Sequence, residues 1–219
     1  MPKIISSVEA ASQITSGSSV MFGGFLAVGS ARDVIDEIVK SEVKDLHLIC
    51  IASDTETTGV GKLIANNQIK SAQVSHLGTN KTMQAQMNSG QVNVEIVPQG
   101  TLMERIRAGG AGLGGILTPT GLGTAVAEGK QILKIDDKDY LLETAIKSDF
   151  AVIKAHKADK NGNLVYYKTA RNSNPIMATA ATITIVEVDE IVETGELSAE
   201  NIVTPGIFVD FIVQTKGDK

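Results

Sequence analysis

A single cysteine, Cys50, stands in 219 residues, so no disulfide can form within the chain and nothing calls for an oxidising compartment. Its surroundings, His47-Leu48-Ile49-Cys50-Ile51-Ala52, are those of a buried strand. That setting lacks the electropositive, accessible niche a reactive thiolate needs, so an inert core thiol is expected. Aromatic residues make up only 4% of the chain, and no stripe of Lys and Arg is interleaved with them. With a net charge of -5, the chain is not expected to bind nucleic acid. The longest apolar run, 20–28, is too short and too glycine-rich to span a bilayer. The amino-terminal stretch has Lys3, Glu9 and several serines where a signal peptide would have an apolar core, so a soluble, cytoplasmic protein without a membrane partner is expected. His47, His76 and His156 are scattered without metal-ligand spacing, so no metal site is expected. A Walker lysine motif and a G-x-S-x-G nucleophile elbow are both missing.

What is present is ordinary for a soluble globular protein, with 42% hydrophobic and 21% charged residues. The length suits one domain, 1–219, near the upper end for a single core. Short apolar runs alternate with amphipathic stretches. Residues 18–22 read as a strand, 23–29 as a loop and 31–40 as a helix. Ser30 and Asp33 form an S-x-x-D capping box, and Val34, Ile35, Ile38 and Val39 fall on one helical face. Further strands are expected at 46–52, 72–76 and 92–97, with helices at 82–88 and 102–107. Continuous apolar strands alternating with helices predict an α/β fold, a mainly parallel open sheet with helices on both faces. From about 116 to 170 the runs shorten and turns such as Asp136-Asp137 and Asn161-Gly162 intervene, so a small β-rich insertion is expected there. Core strands return at 151–154 and 183–188, and Asn174-Pro175 reads as the N-cap and first residue of a helix reaching Ala181.

Two glycine clusters carry the chemistry. The loop Gly23-Gly24-Phe25-Leu26-Ala27-Val28-Gly29 joins the first strand to the first helix. Glycine lets backbone N–H groups approach a ligand, and the adjoining helix start favours an anion; a tight turn without ligand would look the same. The second cluster, 109–115, contains G-x-G-x-x-G at Gly110, Gly112 and Gly115. A dinucleotide fingerprint must follow a strand and open a helix. Here the charged segment Glu104-Arg105-Ile106-Arg107 precedes it and a Thr-Pro turn follows, so dinucleotide binding is not expected. His76 reads as a satisfied strand-end histidine, and Glu104 as a helix charge paired with Arg107 or a candidate site carboxylate.

Several stretches resemble the α chain of class I coenzyme A transferases, found in acetate, acetoacetate and butyrate CoA-transferases. These are Val20-Met21-Phe22-Gly23-Gly24-Phe25 running to Gly29, Ser75-His76-Leu77-Gly78-Thr79-Asn80, and above all Val97-Pro98-Gln99-Gly100-Thr101-Leu102 continuing through the second glycine cluster to Leu117-Thr118-Pro119-Thr120-Gly121. Ala170-Arg171-Asn172 with Asn174-Pro175, and Val203-Thr204-Pro205-Gly206 with Asp210, extend the resemblance over nearly the whole chain. The chain departs from the family pattern at Ser16, at Ala31 and at Ser53-Asp54, where relatives carry an acidic or amide residue, a proline and paired asparagines.

The resemblance implies an enzyme that moves CoA between short carboxylic acids, with CoA as substrate and no permanently bound cofactor. In two-subunit members the thioester is attacked by a glutamate of the β subunit, within a Ser-Glu-Asn-Gly stretch. This chain has no such stretch; Glu200-Asn201 is its nearest echo and is not given that role. The chain is therefore expected to contribute no nucleophile, and to form an α₂β₂ or α₄β₄ enzyme with a β subunit. The loop Gly23, Gly24, Phe25, Leu26, Ala27, Val28 and Gly29 is expected to contact CoA and to aim N–H groups at the thioester oxygen. Gln99 is expected beside the reacting carbonyl, and Glu104 to order the loops. The rival readings are a sugar-phosphate isomerase and a ligand-sensing module of related fold. The latter would need a helix-turn-helix for which the chain has no room, and the 97–121 run suits neither.

Overall fold

The computed structural model describes residues 1–217. Strands and helices follow one another as β1 (Lys3–Ile4), α1 (Ser7–Ser12), β2 (Ser19–Phe22), α2 (Arg32–Lys40), β3 (Leu46–Ala52), α3 (Gly61–Ala65), β4 (Ile69–His76), α4 (Lys81–Asn88) and β5 (Asn93–Ile96). Then come α5 (Gln99–Gly110), β6 (Gly115–Thr118), β7 (Ile132–Ile135), β8 (Lys138–Thr144), β9 (Ser148–Asp159), β10 (Leu164–Val165), α6 (Asn174–Ala178), β11 (Ala181–Val192) and β12 (Phe211–Gln214).

The main sheet is ordered β1-β12-β11-β9-β2-β3-β4-β5, and every neighbouring pair on that path is parallel. Side chains alternate across a strand, so each central strand feeds two cores. Val20 and Phe22 of β2 join Leu48 and Cys50 of β3 against α1 to α4, through Ala10, Val34, Ile35, Ile38, Leu63 and Met83. Met21 and Ile49 point the other way, against Leu102 and Ile106 of α5 and Met177 of α6. Burying each such Leu, Ile or Phe is worth about 1.5–3 kcal/mol, and both faces of the sheet are covered. Among the described residues no helix is long and apolar enough to cross a membrane.

The chain moves outward from the middle in both directions, from β2 through β3 and β4 to β5, and from β9 through β11 to β12. Crossovers of one hand running in opposite directions place their helices on opposite faces, which is why α2 and α6 lie in different cores. The β2–β9 boundary is therefore a topological switch point, where the loops leaving the strand ends diverge and open a crevice.

Local sequence signals were overridden in three places. α2 starts at Arg32 with Ala31 as N-cap and no side-chain cap, so the Ser30–Asp33 box is not formed. Instead Glu187 of β11 accepts the N–H groups of Asp33 and Val34 at 2.8 and 3.1 Å, a full charge at the positive helix end in place of a hydroxyl. The capping box that does form is Ser6 with Glu9 on α1. At α6 the N-cap is Ser173, and the helix stops at Ala178, short of Ala181, which already opens β11. The fully buried Asn174 side chain is engaged elsewhere, accepting the Lys154 N–H at 2.9 Å and donating to Gly29 O and Ala170 O at 3.0 Å each.

The separate antiparallel sheet, ordered β6-β8-β7, occupies Gly115 to Thr144, and β9 already belongs to the main sheet. The β-rich stretch expected to reach about 170 thus ends sooner, because β9 is a long strand buried on both faces. Buried Arg105 of α5 ties the two sheets, donating to Thr144 O at 2.8 Å and to Glu95 of β5 at 2.7 Å. The second glycine cluster serves packing: a Cβ on Gly109 would lie 2.0 Å from Ile146 O, and one on Gly115 would lie 2.5 Å from Glu143 O.

Candidate active site

Residues 23–29 leave β2 at the switch point and enter α2. A Cβ on Gly23 would lie 1.8 Å from Asn174 Oδ1, and Gly24, at φ +115°, leaves its missing Cβ 2.2 Å from Ser30 Oγ. Beyond them Phe25 and Val28 exchange two N–H···O bonds of 3.0 Å, with Leu26 at φ 49° and Ala27 at φ 64° between them. That is the geometry of a type I′ turn, usually built from Asn-Gly. Two L-residues in the left-handed region cost about 1–2 kcal/mol each, so the turn must be held from outside.

It is held on three sides. Asp54, just after β3, accepts the Ala27 N–H on Oδ1 at 3.2 Å. Asn172 accepts the Gly24 N–H at 3.2 Å and donates to Val28 O at 3.0 Å. The Gly23 N–H donates to Val152 O of β9 at 3.0 Å. The N–H groups of Gly23, Gly24, Phe25, Ala27 and Val28 are thus engaged within the chain and the Leu26 N–H is directed at Asp54, so of the seven expected to aim at a substrate oxygen only that of Gly29 has no partner among the described residues. A tight turn closes its own hydrogen bonds, and what it offers outward is side chains. Phe25, Leu26 and Val28 are 42%, 42% and 49% exposed.

Those three side chains, with Ile51, form the apolar wall of an open groove of about 700 Å³. Ser75, His76, Gln99, Thr169 and Asn172 supply its polar side. Gln99 is the first residue of α5, after Pro98, so the turn Val97-Pro98 delivers it from the end of β5 to the carboxyl end of β4. There Ser75 Oγ makes a short hydrogen bond to Gln99 Oε1 and also lies 3.0 Å from Ile51 O. With its carbonyl so occupied, the Gln99 amide nitrogen has no partner among the described residues and is available to donate into the groove. No carboxylate among the described residues lines the groove.

The other candidates fall outside it. Glu104 does not order the loops: its carboxylate faces solvent and pairs with Arg107 Nε at 3.1–3.2 Å, one helical turn on. Cys50 is buried, donates to Ala52 O at 3.2 Å, and has its thiol pushed up by burial. His47 contacts Ser71 at 2.6 Å. His76, expected to be satisfied, is exposed on the groove wall with no partner among the described residues. Ser75, His76, Ile51, Thr169 and Asn172 were not singled out as site residues from the sequence. Ser75, His76 and Asn172 do lie in the motifs that carry the family resemblance, a signal that spacing alone could not convert into a site.

A second cavity, of about 430 Å³, shares Ala27 and Gly29 of the loop and is lined by Lys154, His156, Glu187 and Asp189. Lys154 lies between Glu187 and Asp189 at 3.4 and 2.7 Å, and His156 contacts Asp189 at 2.9 Å. Burial holds the Glu187 carboxyl above its usual range in spite of Lys154. Burial also pushes Asp189 upward, but hydrogen bonds from His156 and Lys154 prevail and hold it low. No group of three or more His, Cys, Asp or Glu that could hold a metal ion occurs among the described residues.

The family model for coenzyme A transferase matches residues 4–215. The chain is 46% identical over 217 residues to the alpha subunit of the acetate CoA-transferase of Escherichia coli, covering 99% of both chains. It is 44% identical over 220 residues to the corresponding subunit of the succinyl-CoA:3-ketoacid coenzyme A transferase of Helicobacter pylori, covering 100% of this chain and 94% of that one. Its fold matches the Escherichia coli acyl-CoA transferase YdiF, solved as a thioester complex with CoA, at a TM-score of 0.87 and 20% identity; the match covers 100% of this chain and 48% of that chain. The chain belongs to the coenzyme A transferase family.

Proposed function

We propose that this chain is the α subunit of a cytoplasmic acyl-CoA:carboxylate CoA-transferase acting on short acids such as acetate, acetoacetate and butyrate. The observation that carries the reading is the groove, an apolar wall facing the Gln99 amide with no carboxylate among the described residues that line it. The nucleophile then comes from a β subunit seated over the groove. The α subunit relatives and the doubled length of the YdiF chain support that division of labour.

In the reaction, the partner's glutamate attacks the thioester carbon and expels CoA thiolate, leaving a mixed anhydride. The thiolate attacks the glutamyl carbonyl of that anhydride, the first acid leaves as its carboxylate, and an enzyme–CoA thioester remains. A second carboxylate reverses the two steps and departs as the new acyl-CoA. No water enters, so the thioester's energy is kept. The Gln99 amide donates to the carbonyl oxygen as charge grows on it, a contribution of about 3–4 kcal/mol for one well-placed donor. Phe25, Leu26, Val28 and Ile51 hold the short acyl tail and keep water from the anhydride.

The test is reconstitution with a β subunit, in α₂β₂ or α₄β₄ form. Acetyl-CoA with butyrate or acetoacetate should exchange CoA in the complex and not with this chain alone. With acyl-CoA and no acceptor, borohydride should reduce the enzyme–CoA thioester to an alcohol, and peptide mapping should place it on the β subunit. A label on Glu104, Glu193, Glu196 or Glu200, or transfer by the single chain, would overturn the proposal.

A further inference from the structure

Asp54 is 2% exposed, sits at φ +53°, and faces no cationic side chain among the described residues. Both of its oxygens are used on backbone N–H groups. Oδ1 takes Ala27 at 3.2 Å and Oδ2 takes Val60 at 3.2 Å, with the Leu26 N–H also directed at the carboxylate. The approach is tight: a Cβ on Gly59 would lie 2.0 Å from Asp54 Oδ2. A buried carboxylate without a counter-charge is unfavourable, and neutral packing would fill the space with a smaller penalty. What this one secures is the tip of the turn formed by Leu26 and Ala27, both in the left-handed region. From that tip Leu26 and its neighbours Phe25 and Val28 reach into the groove opposite Gln99.

We propose that Asp54 is a positioning residue: its carboxylate clamps the Leu26–Ala27 turn and so sets the distance between the apolar wall and the Gln99 amide. Asp54 itself touches no substrate. The functional half of the proposal rests on the transferase reading given above; the clamp itself does not.

Two measurements separate the halves. The first is amide hydrogen exchange on the purified chain, read by peptide mass spectrometry. Asp54→Ala should speed exchange of the 22–30 peptide about tenfold or more, while peptides from α5 and β11 exchange as in the parent. Asp54→Asn, which keeps one acceptor oxygen, should fall between them. Should Asp54→Ala not fold, Asp54→Asn and Gly59→Ala, which keeps the carboxylate but displaces it, should show the same local signature. Unchanged exchange at 22–30 in every folded variant overturns the clamp.

The second is steady-state kinetics of the complex with the β subunit, at matched melting temperature and assembly. Asp54→Ala should lower kcat about tenfold to a hundredfold with KM for acyl-CoA within about threefold, and Asp54→Asn should recover most of it. A kcat within about twofold of the parent, alongside faster loop exchange, overturns the positioning role. A parent complex without CoA transfer counts against the transferase reading, and the exchange result still decides the clamp.

Discussion

Glu187 and Val34 stand 153 residues apart in sequence, yet the Glu187 carboxylate accepts the Val34 N–H at 3.1 Å. With Asp33 N–H on the same oxygen at 2.8 Å and Lys154 Nζ 3.4 Å from the other, one buried side chain joins β11, β9 and the start of α2. α2 begins where the 23–29 loop ends, so this contact fixes the exit of the loop as Asp54 fixes its tip.

Removing that carboxylate should therefore be strongly destabilising. Glu187→Ala leaves two helix N–H groups unpaired and Lys154 held by Asp189 alone, and is expected to lose about 2–4 kcal/mol. Glu187→Gln keeps an acceptor and should lose about 1–2 kcal/mol. Urea denaturation of both variants checks the ordering; equal losses would mean that the charge, not the hydrogen bonds, is what matters.

The pH dependence follows from the same buried acids. Asp54 and Glu187 have folded pKa values raised above 3.8 and 4.5 by burial, so the folded state holds their protons more tightly than the unfolded chain. The stability they contribute is therefore fully present below those unfolded values and is lost as pH rises through the folded ones. The opposite holds for Asp149, held low chiefly by hydrogen bonds from Ser19, which adds stability above its unfolded value and loses it as pH falls through the folded one. Asp54→Asn should accordingly be most destabilising in acid, its penalty shrinking as pH rises from the unfolded value of 3.8 through the raised folded one. Chemical denaturation across that range measures it, and a penalty growing with pH would contradict the burial of an unpaired carboxylate.

Gln99→Ala in the assembled enzyme should lower kcat by about 10²–10³ with little change in KM, as for a donor engaged mainly in the transition state. Ser75→Ala, which only frees the amide to rotate, should do less. A rise in KM at constant kcat would make Gln99 a ground-state contact.

Gly24→Val meets two obstacles, a φ of +115° and a Cβ that would sit 2.2 Å from Ser30 Oγ. It should lose about 2–4 kcal/mol of stability as well as turnover. A loss of turnover far exceeding any loss of stability is the contrary outcome. A thermal melt beside steady-state kinetics distinguishes the two.

Much of the architecture was legible because it is local. The run 46–52 and the stripe Val34, Ile35, Ile38 announce a buried strand and a one-faced helix whatever surrounds them, and β3 and α2 follow. The family was legible too, since its motifs are contiguous. The groove was legible only in pieces. Gln99 and the 23–29 loop were named from sequence, but Ser75, Asp54 and Asn172 enter through contacts made 24, 27 and 148 residues away.

Sequence by itself determined the alternation of apolar strands and helices, the family, and the lack of a Ser-Glu-Asn-Gly nucleophile stretch. Tertiary structure decided which groups hold the loop and what the loop presents. A hydroxyl at Ser30 and a carboxylate at Glu187 compete for the same helix N–H groups, and only the folded sheet brings the stronger acceptor to 2.8 Å from the Asp33 nitrogen. Likewise, whether the glycine loop offers amides or side chains depends on whether a turn can be held in the left-handed region, and Asp54, reaching across from the end of β3, makes that possible.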